Sequence, residues 1–123
     1  MNFQSFFNKR VEFSNLLYDL NIDVVLASET WLTQDHSNSE LLLNNYDIFR
    51  NDRSSRGGGV FIAVKKEFCG EILPFSKDLE SIFVKVNTKG RKSIIFGSVY
   101  RPPNSSFEFC SETVNQIYDT FNK

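Results

Sequence analysis

Apolar and polar positions alternate along this chain in two distinct rhythms. After Ser5, Phe7, Val11, Leu16, Leu17 and Leu20 recur at helical spacing, with Lys9, Arg10, Glu12 and Asp19 between them. Asn21 stands where such a helix would stop. The next run, Ile22 to Ser28, is β-branched and apolar and predicts a buried strand. Thr33 to Ser39 is polar and predicts a loop. Tyr46 to Arg50 alternates as a strand does, and Asn51 to Gly58 reads as a second loop. Gly59 to Val64 is a strand candidate closed by Lys65 and Lys66, whereas Glu71 to Pro74 is short and ambiguous. Ser81 to Asn87 places Ile82, Val84 and Val86 on one face and Phe83 and Lys85 on the other. A turn at Thr88-Lys89-Gly90 then leads into Ser93 to Val99, the second arm of a hairpin. Tyr100-Arg101-Pro102-Pro103 ends that strand. Ser105 and Glu108 have the spacing of a capping box, ahead of a helix through Cys110, Val114, Ile117, Tyr118 and Phe121.

Helix, several strands, then helix predicts an α/β layer structure, and the tight hairpin favours a mixed sheet over a doubly wound parallel one. A single sheet with helices on one face leaves its other face bare and apolar, to be covered by something else.

Composition adds bounds. The 123 residues suffice for one domain. Thirteen Phe, four Tyr and one Trp argue against a disordered chain. Fourteen basic and fifteen acidic residues give a net charge of −1, which excludes a broadly electrostatic nucleic-acid binder, so any polyanion site must be local. Cys69 and Cys110 do not make a disulfide framework and read as reduced thiols. No secretory signal and no membrane span are apparent, so a nuclear or cytoplasmic, intracellular setting is expected.

Four places carry candidate chemistry. Glu29, in Ser-Glu-Thr-Trp-Leu, lies just past a buried strand, where α/β sheets place their sites. A carboxylate fixed there suits a hard cation such as Mg²⁺, although a Glu at a strand end can equally cap a turn or pair with Arg. Arg50, Arg53 and Arg56, with Gly57, Gly58 and Gly59, converge between two strands. Arginine forks match phosphate, and glycines admit a ligand or another strand at close range, yet the same loop could be an ordinary solvated hairpin end. From Arg50 to Lys66 there are five basic residues against Asp52 alone, a local +4. No Lys-Ser/Thr follows the glycines, so this is not a P-loop. Tyr100, before a stiff Pro-Pro bend, holds a phenol that can donate to a phosphate oxygen or simply sit at the rim of a core. Asn2 carries an amide that can orient a neighbouring group. His36, the one histidine, has no second ligand at zinc spacing, and its loop gives no support for a general-base role.

Taken in order, Asn2, Glu29-Thr30-Trp31-Leu32, Tyr46, Arg50-Asn51-Asp52-Arg53 through Arg56-Gly57-Gly58-Gly59-Val60, and Tyr100-Arg101-Pro102-Pro103 resemble the endonuclease/exonuclease/phosphatase superfamily. More narrowly, they resemble the apurinic-type endonuclease domain that precedes reverse transcriptase in non-LTR retrotransposons. The resemblance implies a four-layered α/β sandwich and a Mg²⁺-dependent cleavage of DNA phosphodiesters. It implies Glu29 as the metal carboxylate, and Asn2 and Tyr100 as catalytic groups at metal and phosphate. It implies Arg50, Arg53, Arg56, Gly57, Gly58 and Arg101 as contacts to the DNA backbone. The family also carries Gly-Asp-Phe-Asn and Ser-Asp-His stretches, and neither occurs in this chain. Such domains run to roughly 200–250 residues. Residues 1–123 are therefore expected to be the N-terminal portion of one incomplete sandwich domain, inactive alone and prone to self-association through an uncovered sheet face. The alternative is a non-catalytic module that binds nucleic acid or dimerises.

Overall fold

The structure, a computed structural model, describes residues 1–53, 57–75, 80–87, 92–100 and 106–121. Helix α1 spans Arg10–Leu20, preceded by a 3₁₀ turn at Phe7–Lys9. Asn21 ends it in the left-handed conformation (φ 51°), and the Ile22 amide reaches back to Leu17 O at 3.3 Å, as in a Schellman closure. The stop was legible in the sequence; the buried face was not. Phe13 and Leu17 point inward, while Val11, Leu16 and Leu20 are exposed. Phe13 and Leu17 lie four residues apart and so share one face, displaced from the stripe that the apolar spacing predicts.

Six strands follow: β1 Val24–Ser28, β2 Tyr46–Asn51, β3 Val60–Lys65, β4 Glu71–Leu73, β5 Ser81–Val86 and β6 Ile94–Val99. They form two three-stranded sheets, β1-β3-β2 and β4-β5-β6, each wholly antiparallel. The ambiguous Glu71–Leu73 is the edge strand of the second sheet. The hairpin is present, with Ser81 opposite Val99 and Val86 opposite Ile94, and its turn lies outside the described residues. The capping-box pair at Ser105 also falls outside them, while α2 runs over Phe107–Phe121.

The expectation of one mixed sheet with a bare face is corrected here. The chain supplies both sheets, and each covers the apolar face of the other. Strand β3 is buried from Val60 to Val64 because it is shared between two cores. Its Phe61 and Ala63 meet Phe3, Phe6, Phe13 and Leu17 under α1. Its Val60, Ile62 and Val64 meet Ile82, Val84 and Val86 of β5. Alternation along a strand sends successive side chains to opposite faces, so a strand with cores on both sides reads as one apolar run. Ser98 Oγ donates to Ala27 O at 2.9 Å and ties the sheets together. On the outer face of the second sheet, Phe83 packs against Phe75 (4.5 Å between ring centroids) and against Phe121 of α2 (4.9 Å). The order of layers is helix, sheet, sheet, helix. The parallel component that the expected mixed sheet required is limited, among the described residues, to one bridge between Asn2 and Ser28. No helix among the described residues is long and apolar enough to cross a membrane, and Cys69 is a free, exposed thiol.

Phe61 has no solvent exposure and meets the Phe6 ring edge-on at 5.0 Å. Phe61→Ala is expected to cost about 3–5 kcal/mol in urea unfolding. Tyr118→Ala, at a side chain 64% exposed, is expected to stay within about 0.5 kcal/mol.

Candidate functional site

Three stretches of unusual backbone meet at the end of the sandwich where β1 finishes and β3 begins. Gln4 and Ser5, Glu29 and Trp31, and Gly57, Gly58 and Gly59 all have positive φ. For non-glycine residues this conformation costs energy and persists where surrounding bonds impose it. Those bonds are present. The Ser5 amide donates to Glu29 O at 3.2 Å and the Phe6 amide to Thr30 O at 2.8 Å. The Thr30 and Trp31 amides donate to Gly59 O and Gly58 O at 3.3 and 3.0 Å. Thr30 is fully buried, and its Oγ1 accepts from the Leu32 amide at 3.4 Å.

Glu29 is thereby fixed in direction. Its Oε2 is buried and has no hydrogen-bond partner, and none of the ion pairs among the described residues includes it. Among the described residues no ion-pair partner is present for this side chain. A buried carboxylate oxygen without a donor is costly unless a cation or a proton meets it. Asn2 is exposed, and the bridge to Ser28 sets it beside the strand end that carries Glu29. The Phe3 amide to Ser28 O (3.0 Å) and the Ser28 amide to Met1 O (2.8 Å) hold that bridge. Among the described residues no cluster of three or more metal-ligating side chains occurs. Among the described residues Glu29 and Glu80 each leave a buried carboxylate oxygen without a partner, and of the two only Glu80 is held in an ion pair.

Tyr100 follows β6 and is 9% exposed, its ring set into the core between the sheets. Its amide donates to Glu80 O at 2.8 Å. The Arg53 guanidinium lies over the ring, 5.0 Å from its centroid, and Arg53 Nε donates to Glu80 Oε1 at 2.5 Å. Hydrogen bonding to Glu80 holds the Arg53 pKa above the ordinary arginine value. Sequence reasoning passed over Glu80. Its only signal is an acidic residue opening an otherwise apolar alternating strand.

The arginines divide. All five N–H donors of Arg50 are occupied within the chain, by Asp52 at Oδ1 and Oδ2, by the main-chain oxygens of Thr33 and His36, and by Asn38 Oδ1. Arg50 clamps the 33–38 loop and has no donor left for a phosphate, which corrects its expected role. Arg53 has its Nε on Glu80 and is partly exposed. Arg56 and Arg101 lie outside the described residues. Gly58 serves close approach by the chain itself, whereas Gly57 has room for a Cβ and is set apart by its φ of +85°. A Cβ at Gly58 would lie 2.7 Å from Glu80 Oε2 and 2.8 Å from Arg53 Cζ. The neighbouring Gly59 is equally tight, with its Cβ position 2.7 Å from Thr30 Oγ1. His36 accepts the Thr33 amide at Nδ1 (3.1 Å) and stacks on Phe7, so it is a loop residue. A surface recess at the far end of β3, lined by Leu17, Tyr18, Leu42 and Lys65, includes none of these groups.

No protein-family model matches the chain, and no curated protein matches it. Solved structures do. Truncated TDP2 from Caenorhabditis elegans superposes with a TM-score of 0.56 at 15% identity, over 94% of this chain and 51% of that one. A second crystal structure of TDP2 from C. elegans gives 0.55 at 15% identity, over 93% and 39%. The chain spans about half the length of the first of these structures or less of the others. The likeness is one of fold.

Two substitutions separate the roles of the loop. Gly58→Ala is expected to cost about 1–3 kcal/mol, because its φ of +62° and the Arg53–Glu80 contact both resist a Cβ. Arg50→Ala is expected to lower stability by about 1–3 kcal/mol by stranding its carbonyl and carboxylate partners.

Proposed function

We propose that these residues form the metal- and phosphate-holding portion of a Mg²⁺-dependent DNA endonuclease, of the type joined to reverse transcriptase in non-LTR retrotransposons. The observation that carries this reading is the buried, unpartnered Oε2 of Glu29 at the end of β1. The ordered motifs around Glu29, Arg53 and Tyr100, and a fold shared with TDP2 structures, support it.

In this reading Glu29 holds Mg²⁺, with the Asn2 amide beside it to orient a water or phosphate oxygen. Mg²⁺, when bound, supplies Lewis-acid stabilisation of the charge that builds on the non-bridging phosphate oxygens. Tyr100 donates its hydroxyl proton as a hydrogen bond to the same oxygens, from a ring that packing keeps in place. The guanidinium N–H groups of Arg53 beyond its Nε, with Arg56 and Arg101, meet the DNA backbone. Gly57 and Gly58 act through the loop that they close. Water attacks in line and must lose a proton. The one imidazole of the sequence, His36, is engaged in the Thr33 loop. His36 is therefore not placed as a general base, a contribution worth roughly 10²–10⁴-fold. Binding of metal and DNA with slow cleavage is the expected behaviour of the 123 residues alone.

Amide resonances of Ser28 to Trp31 are expected to move on titration with Mg²⁺ in the wild type and to stay still in Glu29→Gln. A plasmid-nicking assay with Mg²⁺ should give slow nicking that the same substitution removes. A wild type whose spectrum ignores Mg²⁺, or a Glu29→Gln protein that nicks at the wild-type rate, refutes the reading.

A further inference from the structure

Glu80 touches Tyr100 twice, once through the main chain and once through an arginine. Its carbonyl accepts the Tyr100 amide at 2.8 Å. Its carboxylate takes Arg53 Nε at 2.5 Å, and that guanidinium covers the Tyr100 ring. We infer that Glu80 and Arg53 are positioning residues for the Tyr100 phenol, an inference that rests on the phosphodiesterase reading above.

Three observations bear on it. First, the ring is confined on both sides. Arg53 lies on one face, and the ring belongs to the apolar cluster with Val60, Ile62 and Ile82. A cation over an aromatic face is attracted by the ring quadrupole and resists its tilting. Second, the pair is itself confined. Gly58 offers no space for a Cβ beside Glu80 Oε2 or Arg53 Cζ, so neither side chain can swing toward the loop. Third, Glu80 Oε2 is buried without a partner, so this carboxylate depends on Arg53 for its neutralisation. An ion pair this exposed adds little net stability, because solvent screening and the entropy of holding two side chains in one geometry offset most of the attraction. What it does fix is geometry. A phenol that must meet a phosphate oxygen needs that, since a displacement of about 1 Å in a positioned group can cost about 10²-fold in rate.

The test uses the full chain labelled with ¹³Cζ-tyrosine, whose four tyrosines are Tyr18, Tyr46, Tyr100 and Tyr118. Tyr100→Phe assigns the Tyr100 line. In Glu80→Gln and Arg53→Met the Tyr100 line is expected to move toward the positions of the exposed Tyr18 and Tyr118. Tyr46, half-buried at the far end of the first sheet, should keep its wild-type line and so report an intact fold. Arg53→Lys, which keeps a charge over the ring, should recover part of the shift lost in Arg53→Met. A Tyr100 line unmoved by both Glu80→Gln and Arg53→Met overturns the inference, as does a Tyr46 line that moves in step with it in every variant. In plasmid nicking, Glu80→Gln should lower kcat at least tenfold with KM within twofold. A wild type that neither nicks nor responds to Mg²⁺ refutes the phosphodiesterase reading alone, and the tyrosine spectra still decide the positioning.

Discussion

The amides of Thr30 and Trp31 donate to the carbonyls of Gly59 and Gly58, and this pair of bonds is the constraint on which the rest of the site depends. It joins the end of β1 to the start of β3 in a backbone shape that ordinary residues avoid. Glycine is required on one side because Thr30 Oγ1 occupies the place of a Cβ at Gly59, and Glu80 and Arg53 occupy that of Gly58. Non-glycine residues carry the strain on the other side, at Glu29 and Trp31. Their conformation is over-determined by the bonds from Ser5 and Phe6. A side chain at such a position has little freedom to choose its direction, which is how Glu29 comes to leave one carboxylate oxygen buried and unpartnered.

That strain is affordable because the sandwich beneath it is stiff. Strand β3 is central in the first sheet and lies between two cores, so its register is set twice, by Phe61 and Ala63 under α1 and by Val60, Ile62 and Val64 against β5. A slip by one residue would exchange the two faces and lose both packings. The same strand begins one residue after Gly59, so the register that buries Val60 also places the glycine loop. Tyr100 inherits its place in a similar way, one residue beyond β6, with Val99 opposite Ser81 and Glu80 immediately before it.

Much of this was legible in the amino-acid sequence, and the parts that were not share a cause. A continuous apolar run located Val60–Val64, period-two alternation located Ser81–Val86, and Asn21 announced the end of α1. Alternation shows that a face is buried without showing against what, so the reading of one bare sheet missed that the second hairpin folds back as its cover. The face of α1 was misread because Val11, Leu16 and Leu20 look no more exposed than Phe13 in sequence; the tertiary contact with Phe3 and Phe6 decides it. Glu29, Tyr100 and the glycines stood out because their residue types are conspicuous at strand ends. Arg50 stood out for the same reason and means something else, since three of its five partners belong to the 33–38 loop at no recognisable spacing. Glu80 gave no signal, because its meaning lies in Arg53, Gly58 and Tyr100, all distant in sequence.

The local charge of the loop follows from these pairings. Counted in sequence, Arg50 to Lys66 carries a surplus of positive charge; counted in space, much of it is compensated. Arg50 is bound to Asp52, Arg53 to Glu80, and Lys65 to Asp23. Lys66 lies exposed at the far end of β3, away from Glu29. Paired charges a few ångströms apart project a weak field beyond a Debye length, about 8 Å at physiological ionic strength. The described surface around Glu29 is therefore a poor long-range attractor for a polyanion. Affinity and selectivity there have to come from short-range geometry, set by a carboxylate with one buried, unpartnered oxygen and by a phenol ring packed between the core and a guanidinium.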